Sequence, residues 1–140
     1  MGRVGYPPVR EISVTTERKT QLLDITGGVR EALGSEAQGS AALVYVPHTT
    51  AGVVINEKID PDLLDDFEMA LEGIVDDGWS WKHVDADGPN APSHIRASVV
   101  GPQVLVPLKD GDLALGTYQG IFFCEFDGPR TRKVLVTSLV

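Results

Sequence analysis

All three histidines of this 140-residue chain, His48, His83 and His94, lie between positions 48 and 94. Imidazole is the side chain best suited both to metal ligation and to proton transfer near neutral pH. Each histidine has small or polar neighbours. One segment is Pro47-His48-Thr49-Thr50-Ala51-Gly52. The other runs His83-Val84-Asp85-Ala86-Asp87-Gly88-Pro89-Asn90-Ala91-Pro92-Ser93-His94. A shared site is one expectation. The plain alternative is that three histidines is an ordinary number for a chain this long. No His-Glu-x-x-His occurs, so a helical pair of zinc ligands is not the pattern here. A loop between His83 and His94 would have to fold back to bring them together.

Other groups lie near enough in sequence to matter. Glu57, after Asn56, could act as a general base or orient a histidine; otherwise it is a charge at a strand end. Gly116-Thr117-Tyr118-Gln119 places a hydroxyl, a ring and an amide together, and reads equally as a strand bulge. It lacks the Lys-Ser/Thr of a phosphate-binding loop. Glu125, Arg130 and Arg132 read as a surface ion network, with an arginine clamp on a phosphate as the alternative. Cys124, the only cysteine, sits in Ile121-Phe122-Phe123-Cys124 and reads as a buried packing residue.

These residues need elements to position them. Period-2 apolar patterns predict strands over Val9–Glu17, Leu22–Ile25, Ala41–Val46, Gly52–Ile55, Val104–Leu108, Leu113–Leu115, Gly120–Phe126 and Lys133–Val140. His48-Thr49-Thr50 falls in a bend between two of them. Lys109-Asp110-Gly111-Asp112 reads as a turn. Thr26 is placed to cap a short helix through about Leu33. The clearest helix is amphipathic and spans about 61–75: Asp60 suits the N-cap, Pro61 the first turn, and Leu63, Phe67, Ala70, Leu71 and Ile74 recur at helical spacing. Asp62, Asp65, Asp66, Glu68 and Glu72 are expected on its solvated face. Trp79 to Ser93 is long, polar and irregular, and such loops are often functional. His94–Val100 is consistent with helix or strand. The sum predicts an α+β fold with mainly antiparallel or mixed, sandwich-like sheets and one main helix.

Composition bounds the function. Residues 1–8 read as a flexible tail and 9–140 as one domain. A formal net charge of -8 argues against bulk electrostatic binding of nucleic acid. No apolar run reaches membrane-spanning length and the first residues lack a signal-peptide core, so no membrane association and a cytoplasmic location are expected.

The motifs also occur in a specific order. Pro47-His48-Thr49-Thr50-Ala51-Gly52 precedes Asn56-Glu57, then His83 with His94, then Gly116-Thr117-Tyr118-Gln119-Gly120-Ile121 and Cys124-Glu125-Phe126. That series resembles the YjbQ-type family, often labelled secondary thiamine-phosphate synthase. The similarity extends over nearly the whole chain, to Val134-Leu135-Val136-Thr137. The resemblance implies a compact α+β homotrimer with sites near subunit contacts and a histidine-lined pocket for a metal ion or an anion. It implies a secondary activity that joins a pyrimidine-methyl pyrophosphate to a thiazole phosphate with loss of pyrophosphate. In that reading His48, His83 and His94 hold a divalent metal or bind phosphate. Glu57 tunes a histidine, and Thr49, Thr50, Asn56, Asn90 and Gln119 contact substrate. Mg²⁺ prefers oxygen ligands and three histidines suit Zn²⁺, so the histidines could bind phosphate while Mg²⁺ arrives with substrate. Tyr118 stands where the family commonly has Trp, and Asn90 where many relatives carry Asp. Two other functions are kept: a metal-dependent hydrolase with Glu57 as base, resting on three ligands plus an open water position, and a non-catalytic binding module.

Overall fold

The computed structural model describes residues 7–84 and 88–140. The expected tail at 1–8 lies largely outside the described residues. Among the described residues, eight strands form two antiparallel sheets. The larger contains β1 (Arg10–Thr15), β3 (Ala41–Tyr45), β5 (Gln103–Lys109), β6 (Asp112–Leu113) and β8 (Thr131–Leu139), in the order β1-β8-β3-β5-β6. The smaller contains β2 (Gln21–Asp24), β4 (Ala51–Glu57) and β7 (Gln119–Glu125), in the order β2-β7-β4. The helices are α1 (Thr26–Leu33), α2 (Pro61–Gly73) and α3 (Ala91–Val100).

Alternation along the strands builds the core. Val134 and Val136 of β8, Val44 of β3 and Val106 of β5 face Ile121 and Phe123 of β7 and Val53 of β4. Each such side chain contributes about 1.5–3 kcal/mol on full burial. Val29 of α1 closes one end of this layer. The opposite face of the smaller sheet presents Leu22, Cys124 and Phe126, which pack under Leu71 of α2 and Ala97 of α3. The order of layers is therefore large sheet, small sheet, then α2 and α3. Gly52 is where α3 approaches the sheet most closely: a Cβ there would stand 2.6 Å from the Gly101 carbonyl oxygen.

Several expectations need correction. The main helix is α2 and the short helix from Thr26 is α1, as expected; a third helix among the described residues, α3, takes in His94–Val100. Asp60 does cap α2, accepting from Asp62 N–H at 2.9 Å, but the helix ends at Gly73. Glu68 is not on the solvated face. It is buried, accepts the Leu22 N–H at 2.8 Å, and meets the Arg18 guanidinium through both oxygens. Thr26 does not cap α1 with its side chain; its hydroxyl donates to Asp24 and accepts the Ile121 N–H, tying the helix start to β7. The 109–112 turn forms as expected, with Asp110 and Gly111 both at positive φ, 53° and 79°.

β3 and β4 are not paired. The chain leaves the large sheet after Tyr45 and enters the small sheet at Ala51. It makes the reverse crossing between β7 and β8. The two crossings meet: the Phe126 N–H donates to the Thr50 carbonyl at 3.1 Å. This corner positions the candidate site.

Candidate functional site

Four groups of residues converge at the corner. The β3–β4 crossing supplies His48, Thr49 and Thr50; the β7–β8 crossing supplies Asp127 and Arg130, and the start of β8 supplies Arg132. The start of α3 supplies Asn90 and His94. The segment after α2 brings His83 against His94, with ring centroids 5.1 Å apart and planes at 87°. The first eight line a polar cleft of about 380 Å³. His94 is also part of two neighbouring cavities, one shared with Trp81 and His83, the other with His48 and Pro102.

The start of α3 is pinned in place by two side chains. Ser93 Oγ donates to the Phe126 carbonyl at 2.6 Å. Asn90 occupies the N-cap position but its side chain does not cap. Its Nδ2 donates instead to Asp127 Oδ2 at 3.1 Å. A carboxylate only accepts, which fixes the amide orientation. Asp127 also receives Arg130 NH2 at 2.9 Å.

Beneath the cleft lies a buried ion pair. Glu125 is fully buried and Arg132 nearly so. Arg132 donates to Glu125 through Nε and NH2, and NH2 also reaches Thr50 Oγ1 at 2.9 Å. Thr16 Oγ1 donates to Glu125 at 2.8 Å, and the Phe126 and Asp127 N–H groups complete the shell at 3.1 Å each. The expected surface network of Glu125, Arg130 and Arg132 is thus corrected. Arg130 pairs with Asp127 near the surface, while Glu125 and Arg132 form a separate pair between the sheets. Period-2 alternation carried the signal: Glu125 continues the inward row Ile121, Phe123, and Arg132 continues Val136, Val134.

His48 accepts the Lys133 N–H on Nε2 at 3.0 Å. Burial and the Arg132 cation hold its pKa below the ordinary histidine value. The neutral ring with Nε2 accepting carries its proton on Nδ1, a hydrogen-bond donor. A metal at Nε2 would have to displace the backbone. Among the described residues no group of three or more His, Cys, Asp or Glu is arranged to hold an ion. With Nε2 held by the Lys133 N–H, His48 offers no lone pair to an ion shared with His83 and His94 in this arrangement.

The remaining expected residues lie elsewhere in this chain. Asn56 and Glu57 end β4, opposite Gly120 and Gln119. Thr50 precedes the other end of the strand, so Glu57 is about 20 Å from the histidine corner at ~3.3 Å per residue. Glu57 accepts the Asp60 N–H at 3.3 Å, and Gln119 Oε1 accepts the Gly116 N–H at 2.8 Å. Within one chain neither reaches a histidine. Residues the sequence reading left out are Asp127, which links Asn90 to Arg130, and Trp81, beside His83.

Residues 10–140 match the UPF0047 protein YjbQ-like family. The chain belongs to this family. A UPF0047 protein of Archaeoglobus fulgidus is 43% identical over 129 residues, covering 92% of this chain and 99% of its own. UPF0047 protein YugU of Bacillus subtilis is 41% identical over 135 residues, covering 94% and 98%. The crystal structure of a hypothetical protein from Aeropyrum pernix K1 superposes with a TM-score of 0.84 at 37% identity, over 95% of this chain and 99% of that one. The two-sheet architecture of this YjbQ-like chain is therefore that of solved relatives. No helix among the described residues is long and apolar enough to cross a membrane.

Proposed function

We propose that the corner cleft binds the phosphate groups of a small phosphorylated substrate and supports a slow transfer of thiamine-phosphate synthase type. The carrying observation is the donor set. His48 offers Nδ1–H, Thr49 a hydroxyl and Arg130 a guanidinium oriented by Asp127, while Arg132 lines the cleft with its Nε and NH2 already held by Glu125 and Thr50. Donors held in place before the ligand arrives suit phosphate oxygens, because no reorganisation is needed on binding.

In the reaction, the C–O bond between the pyrimidine methylene and pyrophosphate breaks, and its electron pair leaves with pyrophosphate. The thiazole nitrogen supplies the pair for the new C–N bond. The cleft would stabilise charge growing on the leaving group, with His94 at its edge. Asn90 and Thr50 would shape the cleft rather than react. The hydrolase reading has less support, since Glu57 lies at the far end of β4 and His48 Nε2 is engaged. The same proposal includes a homotrimer. It is supported by the apolar outer face of the large sheet and would bring Glu57 and Gln119 near a site only across subunits.

The test is calorimetric titration with pyrophosphate, followed by a thiamine-phosphate synthase assay. Arg130→Ala is expected to weaken pyrophosphate binding about 10- to 100-fold, as for loss of a charge-assisted hydrogen bond. Product formation should fall with it. Unchanged pyrophosphate affinity in Arg130→Ala and His48→Ala would refute the cleft as a phosphate site.

A further inference from the structure

Next to the polar cleft, on the other side of His94, lies a cavity of about 570 Å³. Trp81, Lys82, His83, Ala91, His94 and Ile95 line it. We infer that this cavity holds the flat heteroaromatic ring of the ligand whose phosphate occupies the cleft. The inference rests on the phosphate reading above and adds the position and recognition of the ring.

Three observations carry it. First, the Trp81 indole is fixed. Its Nε1–H donates to the Asp76 carbonyl at 2.9 Å, its backbone N–H to the Trp79 carbonyl at 2.8 Å, and Trp79 packs behind it at a centroid distance of 5.7 Å. The one polar atom of the indole is already used, so the ring offers carbon surface. Second, His83 and His94 meet edge to face at 5.1 Å. Three aromatic side chains, two of them meeting edge to face, favour a planar π-system over an aliphatic chain, because aromatic rings attract one another in such geometries. Third, His94 also lines the polar cleft with Arg130 and His48. An occupant spanning the two cavities has one apolar planar part and one anionic part. A phosphorylated heteroaromatic compound has that division, whereas inorganic phosphate and sugar phosphates lack the first half.

The cavity also contains its own reporter. Trp79 and Trp81 are the only tryptophans in the chain. In a Trp79→Phe variant all indole emission comes from Trp81. The probes are thiamine phosphate, unphosphorylated thiamine, glycerol phosphate and pyrophosphate. Thiamine phosphate and thiamine should quench Trp81, while glycerol phosphate and pyrophosphate should bind, by calorimetry, without quenching. Ile95 is 42% exposed, so Ile95→Asp should fold normally. It should weaken unphosphorylated thiamine about tenfold or more. Trp81→Leu, which adds no charge, should weaken thiamine phosphate about tenfold, the loss expected for one stacked ring, and leave pyrophosphate affinity unchanged, both read by calorimetry.

The two readings fail differently. Quenching by thiamine with no pyrophosphate binding in any form of the protein would support the ring cavity and sink the phosphate cleft. Pyrophosphate binding with no quenching by either thiamine compound would overturn the ring cavity and spare the cleft. Conversion of the protein to a smaller species by Ile95→Asp, seen in sedimentation, would also overturn it, by marking the cavity as the seat of a second copy of the chain.

Discussion

The backbone N–H of Lys133 donates to Nε2 of His48 at 3.0 Å, linking the β3–β4 crossing to the start of β8 through a single imidazole. The bond selects the tautomer with the proton on Nδ1. It also makes protonation of His48 costly, because a proton on Nε2 would eliminate the acceptor.

A pH dependence follows from this. The folded pKa of His48 lies below its ordinary value, owing to burial and then to the Arg132 cation. The unfolded chain takes up a proton near pH ~6.5, before the folded chain does. In that window the unfolded state binds more protons, so stability rises with pH and is lost as pH falls from about 6.5 toward the folded value. His48→Gln keeps an acceptor for Lys133 but does not titrate. The urea midpoint of the wild type should therefore drop more between about pH 7 and about pH 5 than that of His48→Gln. Parallel slopes would contradict this account.

Glu125 and Arg132 should behave as a buried pair. Removing either partner leaves the other charge buried and uncompensated, which costs about 3–5 kcal/mol. Glu125→Ala should show a loss of that size in urea unfolding. Arg130→Ala, which breaks a pair whose arginine is 42% exposed, should cost about 1 kcal/mol or less. Equal losses at the two sites would show that the pairs are not in different environments.

The outer face of the large sheet bears on assembly. Leu43 pairs with Leu105, and Tyr45 with Leu135, side by side across three strands. Tyr45 is 39% and Leu105 57% exposed in the single chain. A contiguous apolar sheet face of this kind usually marks an interface. Sedimentation velocity should give a trimer for the wild type and a smaller species for Leu105→Lys. A clean wild-type monomer at micromolar concentration would refute the proposed assembly.

The sequence was informative wherever local chemistry and period coincided. Asp60-Pro61 with a helical repeat located α2, and alternating β-branched runs located most strands within a residue or two. The α+β class followed from their order. Polar residues inside apolar periods were harder to read. By residue type and position Glu68 is one more acid on an acidic helix. Its burial depends on Arg18 and on the Leu22 N–H, both donated by another part of the chain. The start of α3 was ambiguous because Asn90 gives its side chain to Asp127, 37 positions away, rather than to its own helix.

By itself, the sequence determined the strands, the amphipathic helix and the ordered motifs that place the chain in its family, because these rest on side-chain period and residue type. It also named His48, His83, His94 and Asn90. Only the tertiary structure decided which of them meet. β3 and β4 part into different sheets, so the histidine corner forms against β7 and β8, while Asn56 and Glu57 are carried a strand's length away. It alone decided that Glu125 and Arg132 neutralise each other inside the protein. That outcome depends on which long-range partners reach a buried charge, and no local pattern encodes it.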